Sequence, residues 1–118
     1  IDDIAGRGSM AAYAGDMRAH EVQVREKLAL AGFPPARTRI VKGWIDKTLA
    51  QPDVPDQVAF AYVDFDFYEP IKLALEFLDR TMPAGGFVVV DDYGFFSEGA
   101  QLAVDEFVAA RGDRWALT

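Results

Sequence analysis

Residues 58–70 read VAFAYVDFDFYEP: an apolar run, Val58 to Val63, meets Asp64-Phe65-Asp66 and then Phe67-Tyr68-Glu69-Pro70. A nearly continuous apolar segment of this length is the signature of a parallel strand covered on both faces, here expected over residues 57–64. Glu69-Pro70 then opens a helix, since proline suits the first helical position. Ile71, Ala74, Leu75, Leu78 and Met82 follow at helical spacing, and Pro83-Ala84-Gly85-Gly86 closes the segment. A second buried strand is expected over 87–91, and it too ends in acid, at Asp91-Asp92. Strand–helix–strand units with buried strands indicate an α/β fold built on a parallel sheet with flanking helices.

Working outward, residues 1–14 have no clear period and read as loop. From Asp16 to about Ala31 the spacing predicts a helix, with Met17, Val24, Leu28 and Ala31 near one face and charges largely elsewhere. Gly32 and Pro34-Pro35 end it. Residues 38–43 read as a short strand, 44–49 as a helical turn and 51–56 as a proline-punctuated loop. A last helix is expected from an N-cap at Ser97, through Val104, Phe107 and Val108, to Gly112. Residues 114–118 resemble the start of a further strand.

The bulk properties narrow the function classes. The chain has 118 residues, 51% of them hydrophobic, and a net charge of −7, so it is one domain at most and not a disordered tail. The negative balance disfavours nucleic acid and anionic membranes as partners. There is no cysteine, hence no disulfide or thiolate metal site. No apolar run approaches a membrane span, and IDDIAGRGSM lacks the order of a signal peptide, so a cytoplasmic protein is expected.

In an open parallel sheet, ligands bind beyond the carboxyl ends of the strands. Asp64 and Asp91 lie at two such ends, and neighbouring strands are about 4.8 Å apart. Asp66 and Asp92 are placed to join them. A single acid at a strand end commonly sits in a turn or caps a helix. Two acid pairs closing consecutive strands would repel unless some held protons or a divalent cation lay between them. Oxygen donors, without cysteine and with one remote histidine, favour Mg²⁺, Mn²⁺ or Ca²⁺ over Zn²⁺. His20 itself reads as a solvated surface residue. Tyr68 and Tyr93 read as packing aromatics, and Phe95-Phe96 equally as a lid over substrate or a staple for the following helix. Gly85-Gly86 reads as a helix stop, because a strand follows it.

Four blocks, IVKGW (40–44), VDFDFYEPIKLALEFL (63–78), PAGGFVVVDDY (83–93) and QLAVDEF (101–107), carry a resemblance over residues 40–107. They are similar to the macrocin O-methyltransferase family, S-adenosylmethionine-dependent enzymes that methylate sugars on macrolides, aminocoumarins and related products. The resemblance implies a partial Rossmann-like class I methyltransferase fold. Residues 1–118 would form a single, incomplete domain whose cofactor loop lies upstream. It further implies that Asp64, Asp91 and Asp92 ligate Mg²⁺ and that Asp64 or Asp66 is the general base. Gly43 and Trp44 would lie on the adenine side of the cofactor. The partner would be a small hydroxyl-bearing acceptor, and a homo-oligomer is among the states allowed. Phe65 departs from the family, which often has glycine between the two acids. A haloacid dehalogenase-like phosphohydrolase also pairs Asp-x-Asp with a later Asp-Asp. The 27-residue interval from Asp64 to Asp91, however, leaves no space for its Ser/Thr and Lys elements. A non-catalytic, metal-stabilised α/β domain is the remaining alternative.

Overall fold

The computed structural model of the chain describes residues 19–95 and 97–118. The loop expected over 1–14, Met17 with the start of the first expected helix, and Phe96 lie outside them. In chain order the elements are α1 (Glu21–Leu30), a 3-10 turn (Pro35–Arg37), α2 (Ile45–Thr48), β1 (Phe60–Val63), α3 (Tyr68–Thr81), β2 (Phe87–Val90) and α4 (Glu98–Ala110). The order matches an α/β chain. His20 precedes α1 rather than lying within it, and it is exposed.

β1 and β2 pair in parallel, with Phe60 opposite Phe87 and Val63 opposite Val90. α3 crosses between them. Its buried residues Ile71, Ala74, Leu75 and Leu78 fall on one face because they recur at three- and four-residue steps. Pro70 is its third residue, not its first, which is still within the turn whose N–H groups lack helical partners. Beyond the C-cap Met82, Pro83 and Gly85 (φ 86°) turn the chain back. A Cβ on Gly86 would lie 2.3 Å from the buried Met82 side chain, so this turn needs glycine for space. α4 presents the small residues Gly99, Ala100 and Ala103 with Val104 and Phe107, and packs against α3. Ser97 caps it as expected, its Oγ accepting from the Ala100 N–H at 3.2 Å.

The core lies on one side of the sheet. Val63 is buried in it, and Ala61, Val88 and Val90 pack against it. By strand alternation Phe60, Tyr62, Phe87 and Val89 face the other way, and they are 43–71% exposed. Among the described residues, then, cover is seen on one face of the sheet only. α3 and α4 share one side, α1 buries no residue, and no described residue forms a second layer. The strand expected over 38–43 also does not form. No described residue pairs with it, and Arg39 bonds instead to the carbonyl and carboxylate of Asp53. Nor do residues 114–118 begin a strand, because the N–H groups of Arg114 and Trp115 both turn back to the Arg111 carbonyl at 2.9 Å.

That C-terminal turn is fastened to α3 through Asp79. Its carboxylate accepts from Trp115 Nε1 at 2.8 Å and Arg111 Nε at 2.9 Å, with Arg114 at 3.1 Å. Trp115 meets Phe107 edge-on at 5.4 Å, and Arg111 lies over the same ring. The hydrogen bond from Trp115, with the two arginines acting against the cost of burial, holds Asp79 below the usual carboxylate range. Asp79→Ala should cost roughly 1.5–3 kcal/mol in urea denaturation, the usual loss for hydrogen bonds to a charged group. A lowered folded pKa stabilises fully above the ordinary carboxylate value, and that contribution fades as pH falls through the folded value. The gap between parent and variant should accordingly narrow on acidification. A gap independent of pH would contradict the assignment.

Candidate metal centre at the strand ends

The parallel ladder continues one step past the end of β2, where the Asp91 N–H donates to the carbonyl of Val63, the last residue of β1, at 2.9 Å. That bond holds the two strand ends level. Asp64, Asp91 and Asp92 consequently converge, each offering a carboxylate oxygen, with these atoms all within 4.8 Å of one another. Asp64 is exposed, and Asp91 and Asp92 are half-buried.

Each acid is held differently. Asp91 is anchored at both oxygens: Tyr62 Oη donates to Oδ2 at 2.5 Å, and the Asp92 N–H donates to Oδ1 at 2.9 Å. Those bonds, Tyr62 first, keep its carboxyl below the ordinary range, while the Tyr62 phenol is pushed up to about 12. Burial, then the charges of Asp91 and Asp92, lift Asp64. Burial, the hydrogen bond with Asp66 and the charges of Asp91 and Asp66 lift Asp92. Among the described residues no ion pair neutralises the three acids.

Asp66 and Asp92 both sit in the left-handed backbone region, at φ 64° and 56°. Aspartate tolerates that region better than most side chains, at some cost in strain. Ser97 closes the arrangement by donating from Oγ to the Asp66 carbonyl, so the N-cap of α4 also fixes the turn after β1. Tyr68 donates to Glu106 at 2.6 Å and Tyr93 to Asp105 at 2.7 Å. Both phenols thus tie the strand-end turns to α4. Packing was the role expected of them ahead of orienting a ligand. Sequence reasoning also missed Tyr62, although it stands two residues before Asp64 in a strand whose side chains alternate.

Gly43 and Trp44 have a different setting from the one expected, because no strand precedes them. Gly43 adopts φ 152°, and a Cβ there would meet Thr48 Cγ2 at 3.0 Å. The Trp44 carbonyl starts α2 by accepting from Lys47 and Thr48, and its side chain is exposed. Phe65 borders the acids and is 38% exposed, while Phe95 beyond them is 82% exposed.

The donor set suits a hard dication. All donors are carboxylate oxygens, and Asp64 and Asp92 bind protons more readily than usual because burial, and then the neighbouring negative charge, disfavours their ionised forms. A raised carboxyl pKa means that stability falls as pH rises from the ordinary value through the folded one. Asp92→Asn removes that penalty and keeps a side chain suited to positive φ. Without metal, the variant should melt at or above the parent temperature near neutral pH. Saturating Mg²⁺ should raise the melting temperature of the parent and not of the variant. An equal Mg²⁺ response in both would exclude Asp92 from the site.

The macrocin-O-methyltransferase (TylF) family model matches residues 7–116. A curated relative from Streptomyces olivaceus, 8-demethyl-8-(2,3-dimethoxy-alpha-L-rhamnosyl)-tetracenomycin-C 4'-O-methyltransferase, is 35% identical over 88 residues. The match covers 66% of this chain and 33% of the relative, so the chain spans about a third of the length of the curated relative it matches. No solved structure gives a significant match. The family match leaves no place for the phosphohydrolase alternative. A strand–acid–helix–strand–acid pattern and a match over nearly the whole chain agree: the chain belongs to the macrocin-O-methyltransferase family.

Proposed function

We propose that this chain carries the acceptor-activating site of an S-adenosylmethionine- and Mg²⁺-dependent O-methyltransferase, on a Rossmann-like class I methyltransferase fold. The observation that supports this most is the meeting of Asp64, Asp91 and Asp92 at the tips of two parallel strands. These three would hold Mg²⁺, which when bound lowers the pKa of an acceptor hydroxyl. Asp66 stands outside the converging three and has its turn locked by Ser97. It is the residue we assign to take the hydroxyl proton, with Asp64 serving the cation. S-adenosylmethionine, when bound, would supply an activated methyl group, which the acceptor oxygen would take as the C–S bond breaks and its electron pair stays on sulfur. Positioning supplies most of the rate, since the methyl donor is already activated.

Gly43 and Trp44 are proposed for the cofactor side, where the exposed indole offers a flat face for the adenine. The acceptor class follows the relative, named as a 4'-O-methyltransferase of a rhamnosylated tetracenomycin. A sugar hydroxyl, or that of a related natural product, is accordingly proposed. Phe65 replaces the smaller residue frequent at this place and gives the acceptor an apolar wall.

The test separates the two aspartates. Asp66→Asn should retain divalent-cation binding while methyl transfer from radiolabelled S-adenosylmethionine falls about 100-fold or more. Asp64→Asn should lose both. Methyl transfer that persists undiminished in excess EDTA would remove the cation from the account, and undiminished transfer by Asp66→Asn would remove the base.

A further inference from the structure

Asp91 is the one acid of the three whose carboxylate is fixed at both oxygens. One of its donors, the Asp92 N–H, comes with the backbone turn. The other is the phenol of Tyr62, from the neighbouring strand. The parallel register puts Tyr62 opposite Val89, so Asp91 lies two residues further along β2 on the same face. A side chain as long as tyrosine spans that diagonal, and its hydroxyl arrives 2.5 Å from Asp91 Oδ2.

Packing does not explain the hydroxyl. Tyr62 is 57% exposed and takes no part in the core, and a phenylalanine would cover the same sheet face. Each carboxylate oxygen accepts two hydrogen bonds or ligands, so one donor at each leaves one position at each for a cation. A carboxylate held in this way is set before any ion arrives. Donors behind a metal ligand are known to orient it and to sharpen its affinity.

We infer that Tyr62 is a positioning residue of the cation site: its hydroxyl locks the rotation of the Asp91 carboxylate that joins Asp64 and Asp92. The inference rests on the cation reading of the acid cluster. It adds a residue from the interior of β1 that is not itself one of the three converging acids.

The experiment is Mn²⁺ titration of the chain followed by electron paramagnetic resonance, comparing parent, Tyr62→Phe and Asp91→Asn. Tyr62→Phe should bind Mn²⁺ roughly tenfold more weakly, as loss of an outer-shell donor typically does. Its bound-Mn²⁺ spectrum should be broader, reflecting a less uniform ligand field, and its metal-free melting temperature should fall by too little to account for the weaker binding. Asp91→Asn should lose binding. Equal affinity and spectrum in parent and Tyr62→Phe, with Asp91→Asn silent, would overturn the role of Tyr62 and leave the cation reading standing. A metal-free destabilisation of Tyr62→Phe large enough to explain its weaker binding would also overturn it, in favour of a purely structural role. Absence of binding by the parent would overturn both.

Discussion

The register of two short parallel strands governs everything that follows in this chain. Val63 stands opposite Val90, and the Asp91 N–H adds one more rung by donating to the Val63 carbonyl. A slip of one residue would turn Ala61, Val63, Val88 or Val90 away from α3 and α4, and bring phenylalanine or tyrosine into their place. The same slip would separate Asp64 from Asp91. Burial of small and branched apolar residues on the helix side thus selects the register, and the register places the acids. The hydrophobic and electrostatic parts of the structure are one constraint.

That constraint leaves the strand ends electrostatically costly. Arg39, Arg111 and Arg114 pair with Asp53 and Asp79, away from the three acids. The fold meets the cost unevenly. Asp91 is satisfied by two donors, whereas Asp64 and Asp92 are pushed up by burial and neighbouring charge. Asp66 and Asp92 also hold left-handed backbone angles, and the turn at Asp66 is pinned by the residue that caps α4. Charge crowding and backbone strain at one place, maintained by surrounding contacts, are characteristic of functional sites rather than of surface acids.

Much of this was legible in the sequence because it depends on periodicity and punctuation. The apolar runs gave β1 and β2, the spacing from Ile71 to Leu78 gave α3, and Ser97 marked the start of α4. The acids ending each run placed Asp64, Asp91 and Asp92 at one end of the sheet. Tertiary partners were not legible. Residues 38–43 have strand composition but no strand beside them among the described residues, and the turn at Arg111 took the N–H groups that a last strand would have used. The contacts of Tyr62, Tyr68 and Tyr93 link residues 29, 38 and 12 positions apart, which local spacing does not encode. Exposure of Phe60 and Phe87 was equally hidden, since an apolar run does not say on which side its covering helices fall.

The central claim is that the strand tips form a site for a hard dication, and paramagnetic broadening tests it residue by residue. In an amide NMR spectrum, substoichiometric Mn²⁺ should first erase signals from residues 63–67 and 90–93. Those of α1 and of the Asp79 cluster should persist. Broadening spread evenly over the acidic surface, or centred on any other carboxylate, would contradict the account.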